Sequence, residues 1–184
     1  KVSEEINLNV TIPKVAIAFK INMGKIKNVR EEEIVTYLDI LFSLKLGITS
    51  EFYENLKEEG IITSYIDIHV SENKEYAFVV VVAESKNPHK FIERVKNELC
   101  DLTITEEQLE RKKRTYISSI VYASDKIVNL NHKVMADIIK YNELVDNDSQ
   151  IVENYNMDEM NEIINSLSLD NYTTYIVNPF EQNN

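Results

Sequence analysis

The sequence is poor in the residues that punctuate and cross-link a chain. Its one cysteine, Cys100, cannot close an internal disulfide. Three glycines and three prolines among 184 residues leave little material for flexible linkers, so regular structure is expected to dominate. There is no apolar run near the ~20 residues that span a bilayer and no secretory signal. These absences favour a reducing, cytosolic setting with no membrane partner. Because the chain starts at Lys1 rather than Met, it is expected to be an excised piece, with any address lying upstream.

Positive charge is scarce as well: 20 Lys and Arg stand against 31 Asp and Glu, a formal net charge of −11. Such a balance repels a phosphate backbone, because nucleic-acid affinity depends on Lys and Arg releasing condensed counterions. Nucleic acid is therefore excluded as a partner. The run Arg111-Lys112-Lys113-Arg114 is the contrary sign, but consecutive helical positions point in four directions, and it reads as a solvated face.

Histidine is limited to His69, His89 and His132. Hydrolytic zinc needs three ligands on a rigid frame, commonly two His one helical turn apart with a Glu base nearby. No local pair exists here, and in His69-Val70-Ser71-Glu72-Asn73 an Asn stands where a ligand is required. His69 reads as a strand histidine facing water or a polar neighbour. Cys100, near a helix end with no His beside it, reads as a core or half-buried thiol rather than a nucleophile. Gly24, Gly47 and Gly60 are isolated, so no phosphate-binding loop is present, nor a Ser in a nucleophile elbow. No catalytic residue, metal ligand or cofactor site is assigned.

What is present is a clear succession of periodicities. Val15, Ile17, Phe19 and Ile21 alternate as in a strand, with Pro13 breaking an earlier extended run from Ile6 to Ile12. From Asn28, read as an N-cap, the pattern turns helical: Glu31, Glu32 and Glu33 suit a helix start, and Ile34, Tyr37, Leu38, Ile40, Leu41, Phe42 and Leu44 leave a thin polar strip of Thr36, Asp39 and Ser43. Gly47 ends that helix, and Ser50 caps a second that Gly60 stops. A hairpin follows, with Tyr65 to Val70 alternating, a turn at Ser71 to Lys74, and a return strand from Tyr76 to Ala83. Because the return strand is so apolar, the hairpin is expected to be central in the sheet. Asn87-Pro88 opens a third helix and Thr105 with Gln108 a fourth, carrying Leu109, Tyr116, Ile117, Ile120 and Val121 on one side. Helices around Ile127 to Glu143 and Met157 to Leu167, then a strand from Tyr172 to Val177, complete one α+β domain over residues 1–184 with an antiparallel or mixed sheet.

In order and spacing these segments resemble the C-terminal half of the insulinase/pitrilysin family of metallopeptidases, its bacterial processing-peptidase-like branch in particular. The likeness is carried by Pro13 to Lys20, Leu41-Phe42, Ser50 to Ile62, the apolar hairpin, Glu84-Ser85 before Pro88, Glu106 to Arg114, and Ser124, Ile127 and Asn129. It implies a sheet backed by helices on one face, with residues 1–12 entering from a preceding half. It also implies a homologous, zinc-bearing N-terminal half that closes with this one over a peptide chamber, zinc being held there and not in this chain. The isolated chain is then expected to be inactive, and to self-associate as a homodimer through surface that otherwise meets its partner. Many members place an Arg and a Tyr in the second half to bind the substrate carbonyl. Here Lys57 stands for the Arg, offering a point charge rather than a planar fork, and Tyr65 lies eight positions on. Lys57 and Tyr65 are the candidate substrate-binding residues, the alternative for Tyr65 being a strand aromatic packed beneath a helix. A peptidase-like scaffold that only assembles with other proteins is the second functional reading, and an independent hydrolase a third.

Overall fold

A computed structural model describes residues 2–73, 75–144 and 148–180. Lys74 of the expected turn and the polar tail after Phe180 lie outside the described residues. The chain forms two compact units, one made of Lys1–Ile104 with Glu159–Asn184 and the other of Thr105–Asp158.

The first unit is built on a five-stranded mixed sheet. In chain order its strands are β1 (Val2–Leu8), β2 (Lys14–Asn22), β3 (Asp67–Glu72), β4 (Tyr76–Glu84) and β5 (Tyr172–Pro179). They lie side by side as β1-β5-β2-β4-β3. Only β1 and β5 run parallel; β5 with β2, β2 with β4, and β4 with β3 are antiparallel. The α+β class and mixed sheet agree with the sequence reading. The hairpin is not central as a whole, however: β4 is interior, but β3 is an edge strand.

Alternation along β2 does what its pattern predicts. Val15, Ile17, Phe19 and Ile21 are buried while Ala16, Ala18 and Lys20 between them are only half-buried. Helix α1 (Glu31–Leu46) packs its apolar residues here, with Phe42 and Phe19 rings tilted at 6.1 Å between centroids. Its start differs from the expected one. Asn28 sits in the left-handed region at φ 58 rather than capping, a conformation its short polar side chain tolerates. The helix begins three residues later, with Arg30 paired to Glu33 inside the first turn. At the other end Gly47 is required by space, since a Cβ there would lie 2.4 Å from the Ser43 carbonyl oxygen.

Helix α2 (Glu51–Glu58) starts where Ser50 accepts a hydrogen bond from the Tyr53 amide at 3.1 Å. It ends in a Schellman turn. Gly60 at φ 65 donates to the Lys57 carbonyl and Ile61 to the Leu56 carbonyl, so the chain reverses with its last carbonyls satisfied. Helix α3 (Pro88–Glu98) is capped by Asn87, as its sequence predicts, and buries Phe91 and Val95. Glu59 ties α3 to the end of α2 through Lys90 at 3.1 Å and Arg94 at 2.5 Å. These two cations hold the Glu59 carboxyl below its ordinary pKa.

In the second unit, α4 (Glu106–Ser124) opens with the expected capping box: the Thr105 amide donates to Gln108 Oε1 at 2.8 Å and the Gln108 amide to Thr105 Oγ1 at 3.2 Å. Its basic run is not uniformly solvated. Lys113 is buried, donating to Glu110 at 2.6 Å and to the Tyr155 carbonyl at 2.8 Å, because its place on the helix turns it inward. The foreseen apolar side is also incomplete, since Leu109 is buried but Val121 is exposed. Helix α5 (Ile127–Tyr141) stops short of the expected Glu143, Asn142 closing it in the left-handed region at φ 59. A short helix α6 (Asp148–Glu153) was not foreseen. Helix α7 (Met157–Ser166) belongs from Glu159 onward to the first unit, where Met160 and Ile163 are buried.

Candidate functional site

The sheet of the first unit has two unlike faces. On one, Val15, Ile17 and Phe19 meet Val79, Val81, Ala83 and Ile176 in register, and all are buried. On the other, Ala16 is opposite Val82 and Tyr175, and Ala18 opposite Val80 and Thr173. None of these is buried. The result is a smooth, mostly apolar floor three strands wide, with small alanines along its middle and branched or aromatic side chains beside them. This accounts for the return strand being apolar on both sides, a pattern expected of full burial. The missed signal is the pairing of that strand with an alternate Ala-x-Ala in β2, which leaves an apolar face without the bulk a covering layer would fill.

Charge is confined to the floor's margins. Lys14 pairs with Glu84 at 3.0 Å at one end, and Lys20 lies 3.8 Å above the Tyr76 ring toward the other. Tyr76 also lines a cleft of about 420 Å³ shared with Asn22, Met23, Lys27 and Glu31. His69, on edge strand β3, is exposed opposite Val80, as the sequence reading has it. The floor offers apolar contact and edge-strand hydrogen bonding to an extended peptide.

Lys57 is exposed on α2, and Tyr65, 60% exposed, lies in the segment between α2 and β3. Tyr65 is therefore not packed beneath a helix, because the strand begins only at Asp67 and the ring precedes it. Among the described residues neither side chain makes a hydrogen bond or ion pair. Their segment is nonetheless firmly held. Ser85, fully buried, donates from Oγ to the Ile61 carbonyl at 2.8 Å and accepts from the Asn87 amide at 3.1 Å, and the Thr63 amide donates to the Glu84 carbonyl at 3.1 Å. Ser85 thus joins the segment carrying Tyr65 to the end of β4 and the start of α3. The Ser-x-Asn-Pro spacing signals a helix start but not this long-range anchor.

The described residues form no zinc site. Among the described residues no three His, Cys, Asp or Glu side chains are grouped to hold a metal ion; His69 lies on β3, His89 in the first turn of α3 beside Glu5 at 3.4 Å, and His132 on α5. Cys100 is exposed, contrary to the core or half-buried reading, because α3 ends at Glu98 and leaves it on the following turn. Its Sγ contacts the Lys96 carbonyl at 3.2 Å.

No family model matches the sequence, and no curated protein matches it closely enough to count as a relative. Solved structures do match. A protein described as an M16-like peptidase from Alicyclobacillus acidocaldarius superposes with a TM-score of 0.81 over 97% of this chain and 44% of its own, at 19% identity. The fold is that of an M16-like peptidase half-domain. A second match, described as the inactive peptidase domain of a zinc protease from Bordetella parapertussis, has a TM-score of 0.75 at 13% identity and covers 97% of both chains. A third, a ferredoxin protease in complex with Arabidopsis ferredoxin, has a TM-score of 0.69 at 11% identity, over 98% of this chain and 20% of its own. The M16-like fold, which insulinase-type peptidases share, agrees with the resemblance drawn from the sequence. This chain spans under half of the first of these structures.

Proposed function

We propose that this chain is the non-catalytic, C-terminal domain of a zinc-dependent peptidase, and that its open sheet face forms one wall of a peptide chamber completed by a zinc-bearing homologous half. One observation carries the reading: the apolar floor of Ala16, Ala18, Val80 and Val82 is left accessible, while the other face of the same two strands, with Val15, Ile17, Val79 and Val81, is buried. The M16-like fold supports it, as does the short span of this chain relative to the first structural match. Zinc belongs to the other half, and this chain supplies surface rather than chemistry. Lys57 and Tyr65 contact substrate at the rim, Tyr65 by its exposed phenol and Lys57 as a point charge. The cytosolic setting is part of the same proposal, supported by the single, exposed thiol; among the described residues no helix is long and apolar enough to cross a membrane.

The test is reconstitution with the companion half and an assay of peptide cleavage. Omitting this chain should abolish activity. Ala18→Lys, which raises a charged stem from the floor, should increase KM at least tenfold with little change in melting temperature. Cleavage that is indifferent to both would sink the chamber reading. A second reading, a scaffold that only assembles with other proteins, is favoured by the match to a domain described as inactive. A degraded His-x-x-Glu-His in the companion half would decide for it.

A further inference from the structure

Helix α5 is amphipathic the wrong way round. Its charged pair, Lys133 and Asp137, joined at 2.6 Å, is turned inward, and Asp137 is only 9% exposed. Its apolar residues face outward: Ile127 is 82% exposed, Ile139 81%, and Val128, Met135 and Ile138 each at least half. At 100° per residue, Val128, His132, Met135 and Ile139 form one outer spine, and about half the circumference around it carries no Lys, Arg, Asp or Glu. A helix that met only water would present the opposite face.

We propose that this outer face of α5 is the contact between two copies of this chain, packed about a two-fold axis. Area is the first argument. The exposed fractions of Ile127, Val128, Met135, Ile138 and Ile139 amount to about three whole apolar side chains, on the order of 500 Å². That reaches the upper part of the ~300–600 Å² range of the largest patch on a typical monomer, and two such faces together come to the ~1,000 Å² that a specific interface needs. Charge is the second. A chain with a net charge of −11 repels its copy over most orientations, and this neutral half-cylinder lets two copies approach without pairing like charges. Closure is the third. A two-fold contact uses the same patch on both copies and leaves none of it to recruit a third. The proposal does not rest on the peptidase reading.

The experiment is light scattering on the purified 184-residue chain over a concentration series, under reducing conditions so that Cys100 forms no cross-link. The expected species at high concentration has twice the monomer mass and goes no further. Met135→Lys and Ile139→Lys should each raise the dimer dissociation constant at least tenfold, with unchanged circular dichroism because both positions are exposed. Ile48→Lys, an exposed apolar site in the other unit, should leave the dimer intact. A wild-type chain that stays monomeric at high concentration, open-ended growth beyond a dimer, or a dimer indifferent to both α5 substitutions would each overturn the proposal.

Discussion

Helices α1 and α5 are nearly equal in length, at 16 and 15 residues, and both are rich in Ile, Leu and Val. Their fates differ. In α1, Tyr37, Leu38, Ile40, Leu41 and Phe42 are fully buried against the sheet and the neighbouring helices, while in α5 the large apolar residues face solvent and the ion pair faces in. Apolar content alone therefore does not say how a helix is used. What separates the two is a partner surface: α1 has β2 and β3 beneath it, whereas α5 has a full apolar face with no counterpart among the described residues.

The contrast can be broken most directly by truncating one side chain in each helix. Phe42→Ala should destabilise the chain by about 3–5 kcal/mol, the range for deleting a buried aromatic, whereas Ile139→Ala should change monomer stability by under ~0.5 kcal/mol. Urea denaturation of the two variants measures both. Comparable losses would mean that α5 is packed in the monomer and that the inward and outward faces are wrongly assigned.

A second substitution asks whether the well-packed region depends on polar anchors as well as on apolar bulk. Ser85→Ala removes one fully buried hydroxyl and leaves the Ile61 carbonyl and Asn87 amide without it. The expected cost is about 1–3 kcal/mol. Proteolysis should rise between Ile61 and Ile66, the segment the hydroxyl holds. Unchanged stability and unchanged cleavage would show that backbone contacts alone position Tyr65.

The smallest effect concerns a charge held inside α1. Burial pushes the Glu33 carboxyl above its ordinary pKa, against the pull of Arg30, which is bonded to it. The folded chain thus binds this proton more readily than the unfolded one, so the contribution of Glu33 is most favourable in acid and declines as pH rises through the raised pKa. Relative to wild type, Glu33→Gln should gain thermal stability as pH is taken from the acid side to neutrality. A gain that runs the other way would show that the Arg30 pairing dominates.

Much of the secondary structure was legible because its signals are local. Alternation in Val15 to Ile21, the caps at Ser50, Asn87 and Thr105, and the stop at Gly60 all act within four residues, and the backbone obeys them. Errors arose where one residue type serves two local purposes, as when Asn28 adopts a left-handed turn instead of capping. They also arose where burial is decided at long range, as for Lys113, Cys100 and Tyr65. The candidate floor lay between these cases, since its residues were visible as an apolar strand but its openness was not.

By itself the sequence determined most of the helices and strands, that no histidine pair of zinc-binding spacing exists, and that the charge balance is unsuited to nucleic acid, because these follow from neighbouring residues and composition. Tertiary structure alone decided that β5 inserts between β1 and β2, that one sheet face stays open, and that α5 turns its apolar side outward. Those outcomes depend on which surfaces distant segments bring together, and a one-dimensional pattern records that a face is apolar without recording what lies against it.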